Sequence, residues 1–205
     1  MASKLILYMS PQSTPSRCVL LLARYLKLDI ELKYINLAAG EQLKPEFVKL
    51  NPLHKVPVLV DGNFVLNESR AIMAYLVNSR APGSDLYPND PKARAIIDQR
   101  THFEGGNVMK SIREITVSFW RHKKIRWINN SQFFQHAVVH KKSRSIPHDI
   151  KDDLKGIFKS VDDYLGSSQY FAGDKLTIVD FCLAASIASY SVSSFKAIKK
   201  IFWVV

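Results

Sequence analysis

The first eighty residues alternate between strand and helix signals and then close on a hairpin, and this order limits the fold more than any other feature. Short apolar or alternating runs predict strands, and Asp61-Gly62-Asn63 between two such runs predicts a tight hairpin turn. Apolar side chains at helical spacing predict the helices. The predicted elements are strand 4–8, a helix from Pro15, strand 30–34, helix 41–50, strands 56–60 and 64–66, and helix 69–78.

The resulting order is β-α-β-α-β-β-α, which is the arrangement of a thioredoxin-like domain: a parallel βαβ half followed by a hairpin and a helix. A dinucleotide-binding domain would keep alternating strand and helix, and it would carry a glycine fingerprint after its first strand. The first turn of this chain, Met9-Ser10-Pro11-Gln12-Ser13, contains no glycine. The sequence therefore argues against dinucleotide binding and against a phosphate-binding loop.

Beyond a linker the strand signals largely disappear. Residues 81–91 are rich in proline and short polar residues, as linkers are. Thr177 and Asp180 have the spacing of a helix-capping box. Helical patterns cover residues 92–120, 149–165 and 178–190. We predict two domains, an α/β thioredoxin-like domain at 3–83 and an all-helical domain at 90–205.

Charge and cysteine content indicate the setting in which the chain works. Its 205 residues include 29 Lys and Arg against 18 Asp and Glu, which gives a net charge of +11. Cys18 and Cys182 both lie in apolar sequence, so we expect buried, reduced thiols and no disulfide framework. No apolar run reaches the roughly 20 residues that a membrane span needs, and the N-terminal run is too short for a signal peptide. We expect a soluble, cytoplasmic protein.

Most of the excess positive charge lies in residues 121–148, where aromatic side chains are interleaved with lysine and arginine. Such a composition can bind nucleic acid. No signature of a nucleic-acid-binding fold accompanies it, so we expect a solvated basic surface. His136 and His140 are one helical turn apart, as metal ligands can be. Without a Glu or Cys at ligand spacing they are predicted to be surface residues, and no metal site is predicted.

A thioredoxin-like domain has its reactive residues at the N-terminus of its first helix, because unpaired N–H groups and the helix dipole favour an anion there. A redox enzyme carries Cys-x-x-Cys at this point, whereas this chain has Ser13-Thr14-Pro15-Ser16. Since serine cannot form a disulfide, dithiol exchange is not expected. The Ser13 hydroxyl can donate a hydrogen bond to the thiolate of another molecule, or it can only cap the helix. Both interpretations stay open.

Two further segments predict ligand contacts. Pro57 precedes a strand opposite that helix end, and in this fold such a proline is expected in the cis form, which leaves the backbone of Val56 free to pair with an extended peptide. An edge-strand proline without a ligand is the alternative. Ser69 is predicted to cap the third helix, whose N–H groups can bind a carboxylate, and Glu68 can accept an ammonium group. An ordinary capped helix is the alternative there.

Four motifs of this sequence together resemble cytosolic glutathione transferases. They are Ser13-x-Pro15-x-Arg17, Asn51-Pro52-x-His54-x-Val56-Pro57-Val58-Leu59, Glu68-Ser69-Arg70-Ala71-Ile72 and Leu176-Thr177-Ile178-Val179-Asp180. The resemblance covers almost the whole chain. Within the family the chain is similar to the insect delta and epsilon classes, and residues 40–47 and 102–104 favour epsilon.

The resemblance implies a detoxification enzyme that conjugates glutathione to small hydrophobic electrophiles and has peroxidase or dehydrochlorinase side activity. Glutathione is a substrate in this reaction, so the resemblance implies no bound cofactor. It also implies a homodimer without a membrane partner.

The resemblance further implies roles for individual residues. Ser13 is the implied catalytic hydroxyl that stabilises the glutathione thiolate, and Tyr8 is the second choice. The implied glutathione-binding residues are Gln42, His54, Lys55, Val56, Pro57, Glu68, Ser69 and Arg70. The implied residues of the hydrophobic substrate pocket are Met109, Ile112, Arg113, Thr116 and Trp120, on successive turns of the first long helix after the linker. Ordinary core packing is the alternative for the first two of these.

This sequence departs from the family pattern in four places. Gln42 stands where epsilon members often carry a histidine. Thr116 and Val117 stand where they often carry an aromatic and an acidic residue, which implies a smaller pocket beside Thr116. Residues 121–148 are unusually basic. Relatives continue for at least another helix past the position of Val205, and we expect this difference to affect the range of substrates. A non-catalytic ligand-binding protein on the same scaffold is therefore the alternative function.

Overall fold

A computed structural model describes residues 4–112, 114 and 148–190 of the chain. The chain divides into two compact units, of which the first ends at Ser84 and the second begins at Asp85. Among the described residues, no helix is both long enough and apolar enough to cross a membrane.

The first unit is built on a four-stranded mixed sheet, as the element order predicts. Its strands are β1 (Leu5–Met9), β2 (Ile30–Tyr34), β3 (Val58–Asp61) and β4 (Phe64–Asn67), and their order across the sheet is β2-β1-β3-β4. β1 runs parallel to β2 and antiparallel to β3, and β3 pairs with β4 as the predicted hairpin. The thioredoxin-like arrangement is confirmed.

The helices of the first unit are α1 (Thr14–Tyr25), α2 (Pro45–Leu50) and α3 (Ser69–Arg80), and α1 and α3 contact each other. Side chains alternate across β1 because a strand repeats every two residues. Leu7 and Met9 are fully buried on one face of this strand. Tyr8 lies on the other face, where its ring meets Phe47 of α2 edge-on at 6.2 Å. The alternating side chains of β1 therefore pack on both faces of the sheet.

Two predicted elements of this unit have different limits in the structure. The helix predicted over 41–50 is a 3₁₀ turn, Glu41–Leu43, followed by α2 from Pro45. Lys44 separates them with an extended backbone (φ −67°, ψ 143°), because a residue before proline is pushed out of the helical region. The strand predicted over 56–60 begins at Val58, after Pro57, whose nitrogen has no hydrogen to donate to a sheet.

The second unit is helical in its described part, as predicted. Its helices are α4 (Pro91–Phe103), α5 (His148–Leu165) and α6 (Ile178–Tyr190). The helix predicted over 92–120 is interrupted by a π-helical turn at Glu104–Val108, and most of its last part lies outside the described residues. The core of this unit is formed by Val108, Ile112, Leu154, Val161, Phe171, Val179, Leu183 and Ile187.

The start of α6 confirms the predicted pairing of Thr177 with Asp180. One carboxylate oxygen of Asp180 accepts the Thr177 N–H at 2.8 Å and the Thr177 hydroxyl at 2.9 Å, and the other accepts the Phe171 N–H at 2.8 Å. Burial raises the pKa of Asp180, and these hydrogen bonds oppose that shift. The carboxylate thus joins the preceding loop to the first turn of the helix.

A charged cluster joins the sheet of the first unit to α3. Asp61, at the end of β3, accepts a hydrogen bond from the Tyr75 hydroxyl at 2.7 Å and another from the Arg80 guanidinium at 2.5 Å, both on the same oxygen. The side chain of Asp61 is 5% exposed and that of Arg80 is 17% exposed. The bond to Asp61 is the main cause of the raised pKa of Tyr75, since it stabilises the neutral phenol.

We predict that Asp61→Asn lowers the free energy of unfolding by about 3–5 kcal/mol, because it leaves the largely buried Arg80 cation without its partner. The matched control is Glu31→Gln, which removes the carboxylate of the Lys4–Glu31 pair in the same unit, where the two side chains are 69% and 36% exposed. Exposed pairs contribute little to stability, because water and salt screen them. Urea unfolding of both variants measures the difference, and equal losses would contradict this account of the cluster.

Candidate active site

Ser13 caps α1 at the end of the turn that leaves β1. It is 4% exposed, and its Oγ accepts the N–H of Ser16 at 3.3 Å. This bond uses a lone pair of the oxygen and leaves the hydroxyl hydrogen for another acceptor. Capping and donation to a ligand, the two interpretations of the sequence, are therefore compatible in one residue. The α1 N-terminus adds a favourable field for an anion at this place.

Tyr8, the second choice for the catalytic hydroxyl, lies on the face of β1 that packs against α2. Its ring belongs with the apolar cluster of Phe47, Val56 and Val58. Its hydroxyl lies 3.5 Å from the Lys33 Nζ, which also stands 5.3 Å from the ring centroid. The Tyr8 hydroxyl is thus beside a lysine of β2, whereas Ser13 is at the helix end.

The segment before β3 has the backbone that the sequence predicts. The Val56–Pro57 peptide bond is cis, and both residues are buried. The ladder between β1 and β3 begins at Val58, so the backbone of Val56 lies just beyond it. His54 and Lys55 are exposed on the loop that leads to this point, and His54 has a left-handed backbone (φ 45°).

Asn51 organises this loop, a role that the motif containing it does not indicate. Its side chain is 1% exposed, its Nδ2 donates to the Lys55 carbonyl at 2.8 Å, and its Oδ1 accepts the Leu53 N–H at 3.1 Å and the Asn67 amide at 3.2 Å. Asn51-Pro52 was the available signal, but it predicts only the end of a helix. The amide instead ties the loop to the hairpin strand β4.

The start of α3 differs from the prediction that Ser69 is its cap. Ser69 is the first helical residue and is 2% exposed, and Glu68 takes the cap position without a side-chain hydrogen bond to the helix. Glu68 is exposed, and its backbone has φ 67° and ψ 105°, which side-chain-bearing residues rarely adopt. The Arg70 guanidinium donates to the Ser69 hydroxyl at 3.4 Å. The Glu68 carboxylate is therefore carried by a strained backbone at the point where the N–H groups of α3 begin.

Gln42 lies in the 3₁₀ turn before α2 and is 5% exposed. Its Oε1 is buried and has no hydrogen-bond partner in the part of the chain that the structure describes. A buried amide oxygen without a partner is costly. Of the eight residues implied for glutathione, Gln42 and Ser69 are thus buried polar groups, and His54, Lys55 and Glu68 are exposed ones.

The residues implied for the hydrophobic substrate lie in the second unit. Ile112 is 7% exposed and belongs to its core, and Met109 is half-buried against that core. Arg113, Thr116 and Trp120 lie outside the described residues. A groove of about 380 Å³ opens on the same helix, but neither Met109 nor Ile112 lines it. In the described ranges, no cluster of His, Cys, Asp and Glu has the geometry to hold a metal ion.

Comparison with known proteins decides the family. The family profile described as "Glutathione S-transferase, N-terminal domain" matches residues 3–78, and the one described as "Glutathione S-transferase, C-terminal domain" matches residues 130–202. The chain belongs to the glutathione transferase family. It is therefore a transferase enzyme.

Solved structures of insect transferases resemble this transferase along nearly its whole length. A delta-class enzyme of Nilaparvata lugens is 35% identical, with a TM-score of 0.79 over 97% of this chain and 84% of its own. An epsilon-class enzyme of the housefly, Musca domestica, is 33% identical, with a TM-score of 0.79 over 97% and 83%. A homologue from Drosophila mojavensis, solved with bound glutathione, is 32% identical, with a TM-score of 0.77 over 98% and 83%.

We predict that substitution by glycine relieves the backbone strain at Glu68. Glu68→Gly should be more stable than Glu68→Ala by about 1 kcal/mol, since only glycine adopts this conformation without steric cost. At Asn78, an exposed position of α3, the order should be reversed, and Asn78→Ala should be more stable than Asn78→Gly by up to about 1 kcal/mol. Thermal unfolding of the four variants measures both differences. The same order at both sites would show that Glu68 is not strained.

Proposed function

We propose that this transferase joins the thiolate of glutathione to small hydrophobic electrophiles, and that Ser13 is the residue that stabilises the thiolate. The observation that carries the proposal is the geometry of Ser13: a buried hydroxyl at a helix N-terminus that has accepted its capping bond and still has a hydrogen to donate. The homologue with bound glutathione supports the choice of the thiol substrate.

Glutathione would bind along the first unit as an extended peptide. The Val56 backbone, which lies beyond the ladder, would pair with the cysteinyl group. The N-terminus of α3, with Ser69 and Arg70, would hold the γ-glutamyl carboxylate, and the exposed Glu68 carboxylate would accept the ammonium group. Strain at Glu68 fits such a role, because strained backbone is retained where a ligand needs a side chain in a fixed place.

The glycine end would lie near His54, Lys55 and Gln42. Lys55 supplies a positive charge for the glycine carboxylate, and a buried Gln42 amide whose oxygen has no partner among the described residues can turn to bond a ligand. Pro57, buried next to Val56, would contact the same part of the ligand. These assignments place every glutathione contact in the first unit.

The reaction would follow from lowering the pKa of the bound thiol. The α1 dipole and the Ser13 hydroxyl both favour the thiolate, which is the nucleophilic form of a thiol. The sulfur then forms a bond to an electrophilic carbon, and the leaving group departs with the electron pair. In elimination from a chlorinated compound the same thiolate would act as the base that removes a proton, chloride would leave with the electron pair, and glutathione would be regenerated. In reduction of a peroxide the thiolate would attack an oxygen and release the alcohol, and a second glutathione would then complete the oxidation to the disulfide. No bound cofactor is needed, because glutathione itself supplies the nucleophile, the base or the reductant.

We further propose that the enzyme works as a cytoplasmic homodimer in detoxification. Phe64 on the edge strand β4 is 46% exposed, and an exposed large apolar side chain supports contact with a second copy. The alternative, a ligand-binding protein without turnover, is distinguished by retention on immobilised glutathione combined with an activity assay. Retention on immobilised glutathione without activity would favour the ligand-binding protein.

We predict that Ser13→Ala raises the pKa of bound glutathione thiol by about one to two units, because a charge-assisted hydrogen bond to sulfur contributes about 1.5–3 kcal/mol. Turnover near neutral pH should fall by about ten- to a hundredfold and should recover as the pH rises through the new pKa. Thiolate absorbance of the complex against pH is the measurement.

Two controls separate this effect from others. Tyr8→Phe should leave the titration unchanged, since the Tyr8 hydroxyl lies beside Lys33. Loss of the cap alone costs about 1 kcal/mol of stability, so thermal unfolding shows whether Ser13→Ala remains folded at the assay temperature. A large shift in Tyr8→Phe, with none in Ser13→Ala, would transfer the catalytic role to Tyr8.

A further inference from the structure

One residue of the motif at the start of the first helix has no role in the proposed function. Of Ser13-x-Pro15-x-Arg17, only Ser13 is assigned to the thiolate. Arg17 is the fourth residue of α1 and is half-buried. Its main-chain N–H donates to the Ser13 carbonyl at 3.0 Å, which is the first main-chain hydrogen bond of the helix. The backbone of Arg17 is therefore joined directly to the residue that caps α1.

The side chain of Arg17 reaches back over the N-terminus of the same helix. Its Nη1 donates to the Pro11 carbonyl at 3.1 Å, and its Nη2 donates to the Thr14 Oγ1 at 3.2 Å. These two acceptors lie on either side of Ser13 in the chain. A guanidinium suits such a pair because its donors form a planar fork, whereas a lysine ammonium is a point charge. We call Arg17 with its two acceptors, Pro11 and Thr14, the Arg17 clamp.

The carbonyl that Arg17 holds belongs to the middle of a β-turn. The Ser13 N–H donates to the Ser10 carbonyl at 3.0 Å, which closes the turn around Pro11 and Gln12. Both central residues are exposed. The peptide between them has opposite orientations in type I and type II turns, and the bond from Arg17 holds its carbonyl in one orientation. The guanidinium thus acts on the turn that ends at Ser13.

A cation at this place works against the stability of α1. The positive end of the helix dipole disfavours it, and α1 has no acidic residue in its first turn to offset the charge. Burial also lowers the pKa of Arg17, because it removes water from the cation. Helix stability therefore does not explain an arginine here. Residues that break a local rule in this way are typical of functional sites.

We propose that Arg17 is a positioning residue for the glutathione thiolate, because it holds the turn and the first residue of α1 so that the Ser13 hydroxyl points at the sulfur. The inference rests on the proposed function, in which Ser13 donates to the thiolate. A hydrogen bond weakens steeply as its angle closes. A turn that moves more freely would therefore weaken the bond to sulfur without removing the hydroxyl. Arg17 acts through Ser13 and not through contact with the sulfur.

Hydrogen exchange of the free enzyme, measured by NMR, tests the Arg17 clamp without any substrate. Arg17→Met keeps a long side chain but removes both donors. Exchange of the Ser13 amide should become at least about threefold faster, because opening of the turn exposes its bond to Ser10. The matched control is Arg24→Met, which removes an exposed arginine from the last turn of the same helix and should leave this rate unchanged. An unchanged Ser13 rate in Arg17→Met would overturn the proposal.

The pKa of the bound thiol, followed by thiolate absorbance, tests the effect on the site. In Arg17→Met it should lie about 0.5–1 unit above that of the parent, less than in Ser13→Ala, because the hydroxyl is misaligned but present. At a pH below both pKa values, kcat should fall by about three- to tenfold, as the thiolate fraction does. The KM for glutathione should change by less than about twofold. No pKa shift in Arg17→Met, beside a clear shift in Ser13→Ala, would overturn this inference alone.

Two further variants keep the positive charge and weaken the Arg17 clamp. Arg17→Lys lacks the fork and should give at least about half the shift of Arg17→Met. Thr14→Val removes one of the two acceptors and should raise the thiol pKa by a smaller amount. It also decides the matter if thermal unfolding shows that Arg17→Met does not fold. A parent-like pKa in Arg17→Lys, or a parent-like pKa and Ser13 exchange rate in Thr14→Val, would overturn the proposal.

A double-mutant cycle separates positioning from a direct effect of the charge. In a Ser13→Ala background, Arg17→Met should change the thiol pKa by less than about 0.3 unit, because the hydroxyl that it positions is gone. A full shift in that background would show that the charge acts on the sulfur directly, which would overturn the proposal. If Ser13→Ala alone leaves the pKa unchanged, the proposed function fails, while the Ser13 exchange rates still decide whether the Arg17 clamp holds the turn.

Discussion

The turn between β1 and α1 is the constraint on which the candidate site depends. Three serines hold it: the Ser13 N–H donates to the Ser10 carbonyl at 3.0 Å, the Ser10 N–H donates to the Ser16 hydroxyl at 3.4 Å, and the Ser16 N–H donates to the Ser13 hydroxyl at 3.3 Å. All three residues are buried. These bonds fix the N-terminus of α1 directly after a central strand, and the hydroxyl that closes the turn is also the one that we propose to meet the glutathione thiolate.

The rest of the first unit supports this arrangement by joining the sheet to its helices. Asn51 ties the loop before the cis proline to β4, and Asp61 ties the end of β3 to α3 through Tyr75 and Arg80. Each is a buried polar residue with at least one partner on a different element. Such bonds are costly to break, because the remaining partner would be left buried and unpaired. They keep the Val56 backbone and the start of α3 in fixed places.

Local patterns predict the element order of the first unit and the position of the cis proline, because spacing and proline chemistry act over a few residues. They do not predict the backbone of Glu68, since nothing in the preferences of glutamate favours a positive φ. The π turn is also hidden, although Gly105-Gly106 is visible. Ile97, Thr101, Glu104 and Val108 keep ordinary helical spacing across it, so that the sequence pattern does not reveal it.

The residues of the candidate site also fall into those that local sequence indicates and those that depend on contacts between segments. Ser13, Val56 and Ser69 are proposed from the sequence because each belongs to a short motif at or just before the start of a helix or strand. The buried state of Gln42 and the central role of Asn51 depend on contacts between segments, which spacing does not encode. For Ile112, the sequence leaves substrate contact and core packing open, and the structure places its side chain in the core of the second unit.

A crystal structure of the enzyme with bound glutathione tests the central claim most directly. The account predicts that the sulfur lies within hydrogen-bonding distance of the Ser13 Oγ, that the cysteinyl backbone pairs with Val56, and that the γ-glutamyl carboxylate meets the N-terminus of α3. A sulfur beside the Tyr8 hydroxyl, or glutathione bound away from the first turn, would contradict it.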